Sequence, residues 1–307
     1  MEECPKSGWR RLIPGAVRSC YRHLRARVLS VDLWPRGPFS LSDEERHASE
    51  AMSIVVAVHD APEDTRRCLD SLQVFGGNAE VIIVDDGSKL ELVKQMLNDF
   101  CSRNGWKLVR QNPALGHSRA SEAGVSVSTR PYVCLLNSDT VITPHSWLGI
   151  ARAFEESPQI AVVGPSTSYT PTLQCEWRAY YCCPYWTDGE VWRFAEKYVA
   201  RHLEEPAVDW PWVGGFAFFV RRTIWDQLGG FDKNLPDYGN ELEFCRRLKQ
   251  CGLRVAWSKA SYIHHLGAAS YGRTLGFAAI SERRQQADAY IQKSAADKAL
   301  RQQQKVD

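Results

Sequence analysis

The sequence predicts an α/β fold built on a mostly parallel sheet, and three observations carry that expectation. The runs Ser53–Val58, Glu80–Val84 and Tyr132–Leu136 place apolar residues at consecutive rather than alternate positions, the pattern of strands covered on both faces. Stretches with helical start signals and spacing separate them, and a β-α-β order implies parallel neighbours joined by crossover helices. Each run also stops abruptly in polar residues: His59-Asp60, Asp85-Asp86-Gly87-Ser88 and Asn137-Ser138-Asp139. Parallel strands bring such ends to one edge of the sheet, where ligands collect.

The first 50 residues read as a separate basic extension. Val17, Tyr21, Leu24, Val28 and Leu29 fall on one helical face, with Arg18, Arg22, Arg25 and Arg27 giving the segment a basic side. That pattern suits an anionic membrane surface, a helix packed on the main domain or a disordered leader. Pro35-Arg36-Gly37-Pro38 breaks it, and Ser42-Asp43-Glu44-Glu45 carries the N-cap and acidic first turn of a short helix.

The compact domain is expected over residues 51–272, followed by a helical tail over 273–307. After the first strand, Pro62 with Glu63 and Asp64 opens a helix bearing Leu69, Leu72 and Val74. The second strand precedes a helix from about Lys89 to Asn104, a third strand from Trp106 to Arg110, and a turn at Asn112-Pro113 and Gly116. A helix over His117–Ser128 carries the small residues Ala120, Ala123 and Gly124 before the strand that ends at Asn137. Ile160–Pro165 is another strand. Trp212–Val220 is a further one, whose Gly214 and Gly215 let a ligand approach the backbone. A helix begins at Arg221-Arg222 and stops at Gly229-Gly230. Leu242, Cys245 and Leu248 mark the next helix, with Glu241 in its first turn. His264 and His265 follow a last strand. Between Ser166 and Asp209 lie Tyr169, Trp177, Tyr180, Tyr181, Tyr185, Trp186 and Trp192, which would form either a groove that stacks a ligand ring or an aromatic mini-core.

Composition excludes several classes. The net charge of +2 implies no nucleic-acid partner. There is no secretory signal and no apolar run near 18 residues, so a cytoplasmic location, peripheral to a membrane if the leader docks there, is expected. Ten cysteines are scattered, and Cys175, Cys182 and Cys183 lack a second pair at zinc-site spacing, so buried thiols in a reducing compartment are the simplest reading. Neither a Walker loop nor G-x-G-x-x-G follows the first strand. A diphosphate at the strand ends would need a bridging divalent cation among these carboxylates.

The order of motifs resembles family 2 glycosyltransferases of the GT-A type. The stretches that carry the likeness are Ser53–Asp60, Val84–Ser88, Leu135–Asp139, Trp212–Arg222, Gly229–Asp232 and Asn240–Arg247, and together they cover roughly Ser53 to Ser270. The resemblance implies a Rossmann-like, mostly parallel sheet flanked by helices, with helical extensions at both termini. It implies an inverting transfer of sugar from a nucleoside-diphosphate sugar to a glycan, lipid-linked or protein acceptor, with Mg2+ or Mn2+. By the same resemblance Ala57, His59, Asp60, Asp85, Asp86, Asn137, Ser138, Gly214 and Gly215 should contact the donor. Trp212 and Asn240 should face the acceptor, Asp139 and His264 should hold the metal, and Glu241 should be the catalytic base. This chain has Asn137 where the family has an acidic residue, and Asn240-Glu241 where it usually has Glu-Asp. A nucleotidyltransferase and a non-catalytic binding module of the same fold are the competing classes. The product released from nucleotide sugars or nucleoside triphosphates separates all three.

Overall fold

A computed structural model describes residues 40–168, 170, 172–176, 187–235, 237–267 and 276–303. The basic helical face over 13–34 and most of the aromatic stretch, Tyr169 and 177–186, lie outside the described residues. Among the described residues, no helix is long and apolar enough to cross a membrane.

The centre is an eight-stranded mixed sheet. Strands β1 (Met52–Val58), β2 (Glu80–Asp86), β3 (Lys107–Gln111) and β4 (Tyr132–Asn137) run parallel in the order β3-β2-β1-β4. The register sets Val58 beside Asp85 and Ala57 beside Asn137, so the polar ends of β1, β2 and β4 do share one edge. The rest of the sheet is β6 (Ile160–Ser166), β7 (Val208–Asp209), β8 (Ala217–Arg221) and β9 (Arg254–Tyr262), while β5 (Thr140–Val141) and β10 (His264–His265) pair apart as a two-stranded sheet. Strand β8 inserts between β4 and β6, antiparallel to both, while β9 pairs parallel with β6 and the short β7 closes that side.

Helices α1 (Asp43–Ser49), α2 (Pro62–Phe75), α3 (Glu91–Asn104), α4 (His117–Ser126), α5 (Leu148–Glu156), α6 (Asp188–His202), α7 (Arg222–Leu228), α8 (Asn240–Gln250) and α9 (Gly276–Gln303) complete the described chain. Ile54, Val56 and Val58 pack with α2, α3 and α5, whereas Val55 packs with α4, α7 and α8. One strand thus feeds two cores because successive side chains leave opposite faces.

Helix α1 belongs to the first of these cores rather than to a detached extension. Leu41 and Ala48 are buried in it. The Glu45 carboxylate accepts the backbone N–H groups of Trp147 (2.8 Å) and Leu148 (3.0 Å) at the start of α5. Burial nevertheless pushes that carboxyl up to about 7. Glu45→Ala would strand two buried donors. The melting temperature should fall, by an amount equivalent to about 1–3 kcal/mol, with the loss read from thermal unfolding near pH 7. Trp192, one of the aromatic set, takes the core role: its ring packs edge-on to Phe75 at 4.9 Å and its indole N–H donates to Ile142 O.

Candidate active site

A cavity of about 390 Å³ opens at the carboxyl ends of β1, β2 and β4. Its walls come from several elements. Ala57 and His59 end β1, Asp86 ends β2, and Asn137, Ser138 and Asp139 end β4. Trp212, Gly214 and Gly215 lead into β8, and Asp237, Tyr238 and Glu241 lie at the start of α8. The expected strand over Trp212–Val220 is regular only from Ala217. The residues before it turn through the site, with Gly214 N–H donating to Gln174 Oε1 at 2.8 Å and Asn137 N–H to Phe216 O at 2.9 Å.

The strand-end acids divide into two kinds. Asp139 is 5% exposed and lines the cavity, with its Oδ1 3.3 Å from His265 Nε2. Asp86 also lines it, while its two oxygens accept the N–H groups of Leu115 (2.7 Å) and Gly116 (2.9 Å) and so hold the loop that starts α4. His59 Nδ1 lies 2.7 Å from Asp86 O, tying the ends of β1 and β2. Asp60 and Asp85 are not on the cavity wall. Asp60 sits at positive φ, and its Oδ1 accepts the N–H groups of Lys89 and Leu90, ahead of α3. Asp85 Oδ1 accepts Ser88 N–H at 3.0 Å, within its own turn. Each carboxylate is engaged in its turn through Oδ1.

Two other expected residues are displaced by the fold. His264 is fully buried off the cavity wall, its Nδ1 3.0 Å from Tyr262 Oη, and burial pushes its imidazole down to about 3. Strand β10 pairs antiparallel with β5, setting His265 opposite Thr140, and it is His265 that stands beside Asp139. Asn240 is also fully buried. Its side-chain N–H donates to Ser118 Oγ at 2.7 Å, so it ties α8 to α4.

Glu241 stands on the wall against Gly215. A Cβ added to Gly215 would overlap Glu241 Oε1, so only glycine leaves the carboxylate its place. Burial pushes this carboxyl up to about 7, with its own backbone N–H pulling the other way. The neighbouring acids differ: Glu243 pairs with Arg247 (2.6 Å) and Arg246 (3.3 Å), and Asp237 pairs with Arg283. Gly215→Ala should therefore displace the carboxylate and reduce any reaction that uses it, with little change in nucleotide affinity, as read by steady-state kinetics and calorimetry.

Sequence reasoning named His265 with His264 as possible metal ligands or phosphate contacts, but did not pick out His117 and Arg284 as wall residues. A signal existed for His117: a basic residue in the first turn of a helix opposes the helix dipole. Burial pushes its imidazole down, while Asp237, Asp86 and Asp139 pull it up.

Asp139 and His265 offer one carboxylate and one imidazole, a donor set that fits Mn2+ or Mg2+ when phosphate oxygens and water supply the rest. Among the described residues no group of three or more His, Cys, Asp or Glu is arranged to hold an ion by itself.

The family described as Glycosyl transferase family 2 matches residues 53–222. The chain is 24% identical over 262 residues to the O-antigen biosynthesis protein RfbC of Myxococcus xanthus, covering 82% of this chain and 20% of that protein. It spans between a fifth and just over a third of the length of the curated relatives it matches. Two solved structures share the fold. GalNAc-T7 with UDP, GalNAc and Mn2+ superposes with a TM-score of 0.54 at 16% identity, over 70% of this chain and 43% of that one. The mannosyltransferase PcManGT of Pyrobaculum calidifontis, with GDP-Man and Mn2+, gives 0.51 at 14% identity, over 83% and 68%. The architecture is the GT-A fold.

Proposed function

The chain belongs to glycosyl transferase family 2, and on that premise we propose that it moves a sugar from a nucleoside-diphosphate sugar to an acceptor hydroxyl in glycan assembly, inverting the anomeric centre. The observation that carries this reading is Glu241. Its carboxyl is pushed to about 7, it is not engaged in an ion pair with Arg246 or Arg247 as Glu243 is, and it lines the same cavity as Asp139 and His265.

In the reaction, Glu241 takes the proton of the acceptor hydroxyl as that oxygen bonds to the anomeric carbon. The bond from that carbon to the diphosphate oxygen breaks, and the electron pair leaves with the nucleoside diphosphate. Asp139 and His265 would hold a divalent cation, Mg2+ or Mn2+, which neutralises charge on the leaving diphosphate when bound. His59, Ala57 and Asn137 line the donor side, and Trp212 the approach to β8. Asp237 is instead engaged in an ion pair with Arg283. The name of the Myxococcus relative and the nucleotides and Mn2+ in the two solved structures support the donor class and the cation. A cytoplasmic location is part of the proposal, supported by the buried free thiols of Cys68, Cys101, Cys134 and Cys245.

The test is a panel of UDP- and GDP-sugars and nucleoside triphosphates, each with Mn2+ and with EDTA. Nucleoside diphosphate should be released from one or more sugars with Mn2+ and not with EDTA. Pyrophosphate release would mean a nucleotidyltransferase, and no release a binding module.

A further inference from the structure

Helix α9 returns from the far end of the chain to the turn that presents Glu241. Ala287 and Ile291 form a small core with Leu235, flanked by Tyr238 and Leu242. Tyr290 Oη donates to Asp232 Oδ2 at 2.9 Å, and Arg283 pairs with Asp237. The contact is close at Gly239, where φ is +81° and an added Cβ would lie 3.0 Å from Ile291 Cδ1 and 3.2 Å from Ala287 Cβ. The helix is thus seated on the loop that carries the base.

Its exposed face then continues the cavity wall. Arg284 and Asp288, one helical turn apart, line the cavity with Ala287 between them. The Arg284 guanidinium lies over the Tyr238 ring, 5.3 Å from its centroid. Among the described residues that line the cavity, Arg284 is the only lysine or arginine. The wall next to Glu241 therefore combines an aromatic ring, a group that only donates hydrogen bonds and a group that only accepts them.

We propose that Tyr238, Arg284 and Asp288 form the acceptor subsite, and that the acceptor is a saccharide. This deepens the transferase reading and rests on it. A sugar ring offers an apolar C–H face for Tyr238 and neighbouring hydroxyls that both donate and accept. The first property matches the aromatic ring, the second the Arg–Asp pair. An anionic acceptor fits less well, because Glu241, Asp237 and Asp288 line this side. The same acids argue against Arg284 reading the donor diphosphate, since Asp288 beside it would repel phosphate.

The experiment uses the full chain with UDP and Mg2+. Saturation-transfer NMR is run with p-nitrophenyl glycosides of glucose, galactose, mannose, N-acetylglucosamine and N-acetylgalactosamine. At least one glycoside should bind the wild type. Arg284→Ala and Asp288→Ala should weaken it on the order of tenfold, the loss of one charge-assisted hydrogen bond, with UDP affinity unchanged. Arg284→Met keeps an apolar stem over Tyr238 without the guanidinium and should lose the same affinity at a wild-type melting temperature. Binding of none of the glycosides, wild-type affinity in Arg284→Met and Asp288→Ala, or a fall in UDP affinity in Arg284→Met would each overturn the proposal. Failure of the transferase reading is separate: it would appear as a wild type that releases no nucleoside diphosphate from any nucleotide sugar.

Discussion

Glu241→Gln should lower kcat by roughly 10²–10⁴-fold while donor affinity stays near the wild-type value. The substitution keeps the shape of the side chain against Gly215 and removes only its capacity to take a proton. In the proposed mechanism the donor is held elsewhere, at Asp139, His265 and the end of β1, all of which line the cavity apart from Glu241. The wild-type rate should depend on pH in the direction set by the carboxyl. Burial holds it protonated up to about 7, so log kcat should rise with unit slope below that pH and level off above it. Stability should move the opposite way. Below about 4.5 the carboxyl is neutral in both folded and unfolded chains. From there to about 7 the unfolded chain gives up its proton while the folded one keeps it, so wild-type stability falls across that window. Glutamine has no such loss. The variant should be the more stable form above pH 7, by on the order of 1–3 kcal/mol. If Glu241 served only the helix dipole, the same change would cost about 0.3–1 kcal/mol and leave the rate alone. Melting curves at two pH values and one kcat measurement distinguish the two.

The parallel half of the sheet was legible because strands covered on both faces must be apolar throughout, as Ile54–Val56 and Ile82–Val84 are. The convergence of their polar ends followed from the topology. What the ends do individually did not, since a carboxylate that caps a turn and one that faces a ligand have the same sequence signature. Asp60 and Asp85 went to backbone N–H groups and Asp139 to the cavity. Which of the two adjacent histidines stands beside Asp139 was not legible, for a reason of parity. Adjacent strand residues face opposite ways, and which one faces Asp139 depends on the register of β10 against β5, a two-residue pairing with no local signal. Strand β8 was recognised as a strand but not as the antiparallel insertion between β4 and β6, because pairing partners are long-range. Arg284 lies 43 residues beyond Glu241 by their numbers, and only the docking of α9 on Leu235 and Gly239 joins them. Glu241 was legible from its place in a motif, and the structure adds the burial that raises its carboxyl.

Asp139→Ala should abolish metal-dependent nucleotide binding and reduce turnover on the order of 10³-fold, with the fold retained. The carboxylate is the acidic group of the Asn137-Ser138-Asp139 end that reaches the cavity, and Asn137 cannot supply a charge in its place. The role of His265 predicts a contrast between adjacent residues. His265→Ala should also weaken Mn2+-dependent UDP binding, since its Nε2 lies beside Asp139 Oδ1. His264→Ala should leave that binding near normal, because His264 is buried against Tyr262, and should instead cost about 1–3 kcal/mol of stability. Calorimetric titration of UDP with and without Mn2+ on the three variants, beside their melting temperatures, reads all of this. If His264→Ala lost Mn2+-dependent binding and His265→Ala kept it, the assignment from the β5–β10 register would be wrong. If Asp139→Ala bound UDP with Mn2+ as the wild type does, the cation would have to be held elsewhere in the cavity, which Asp86 and Asp237 also line.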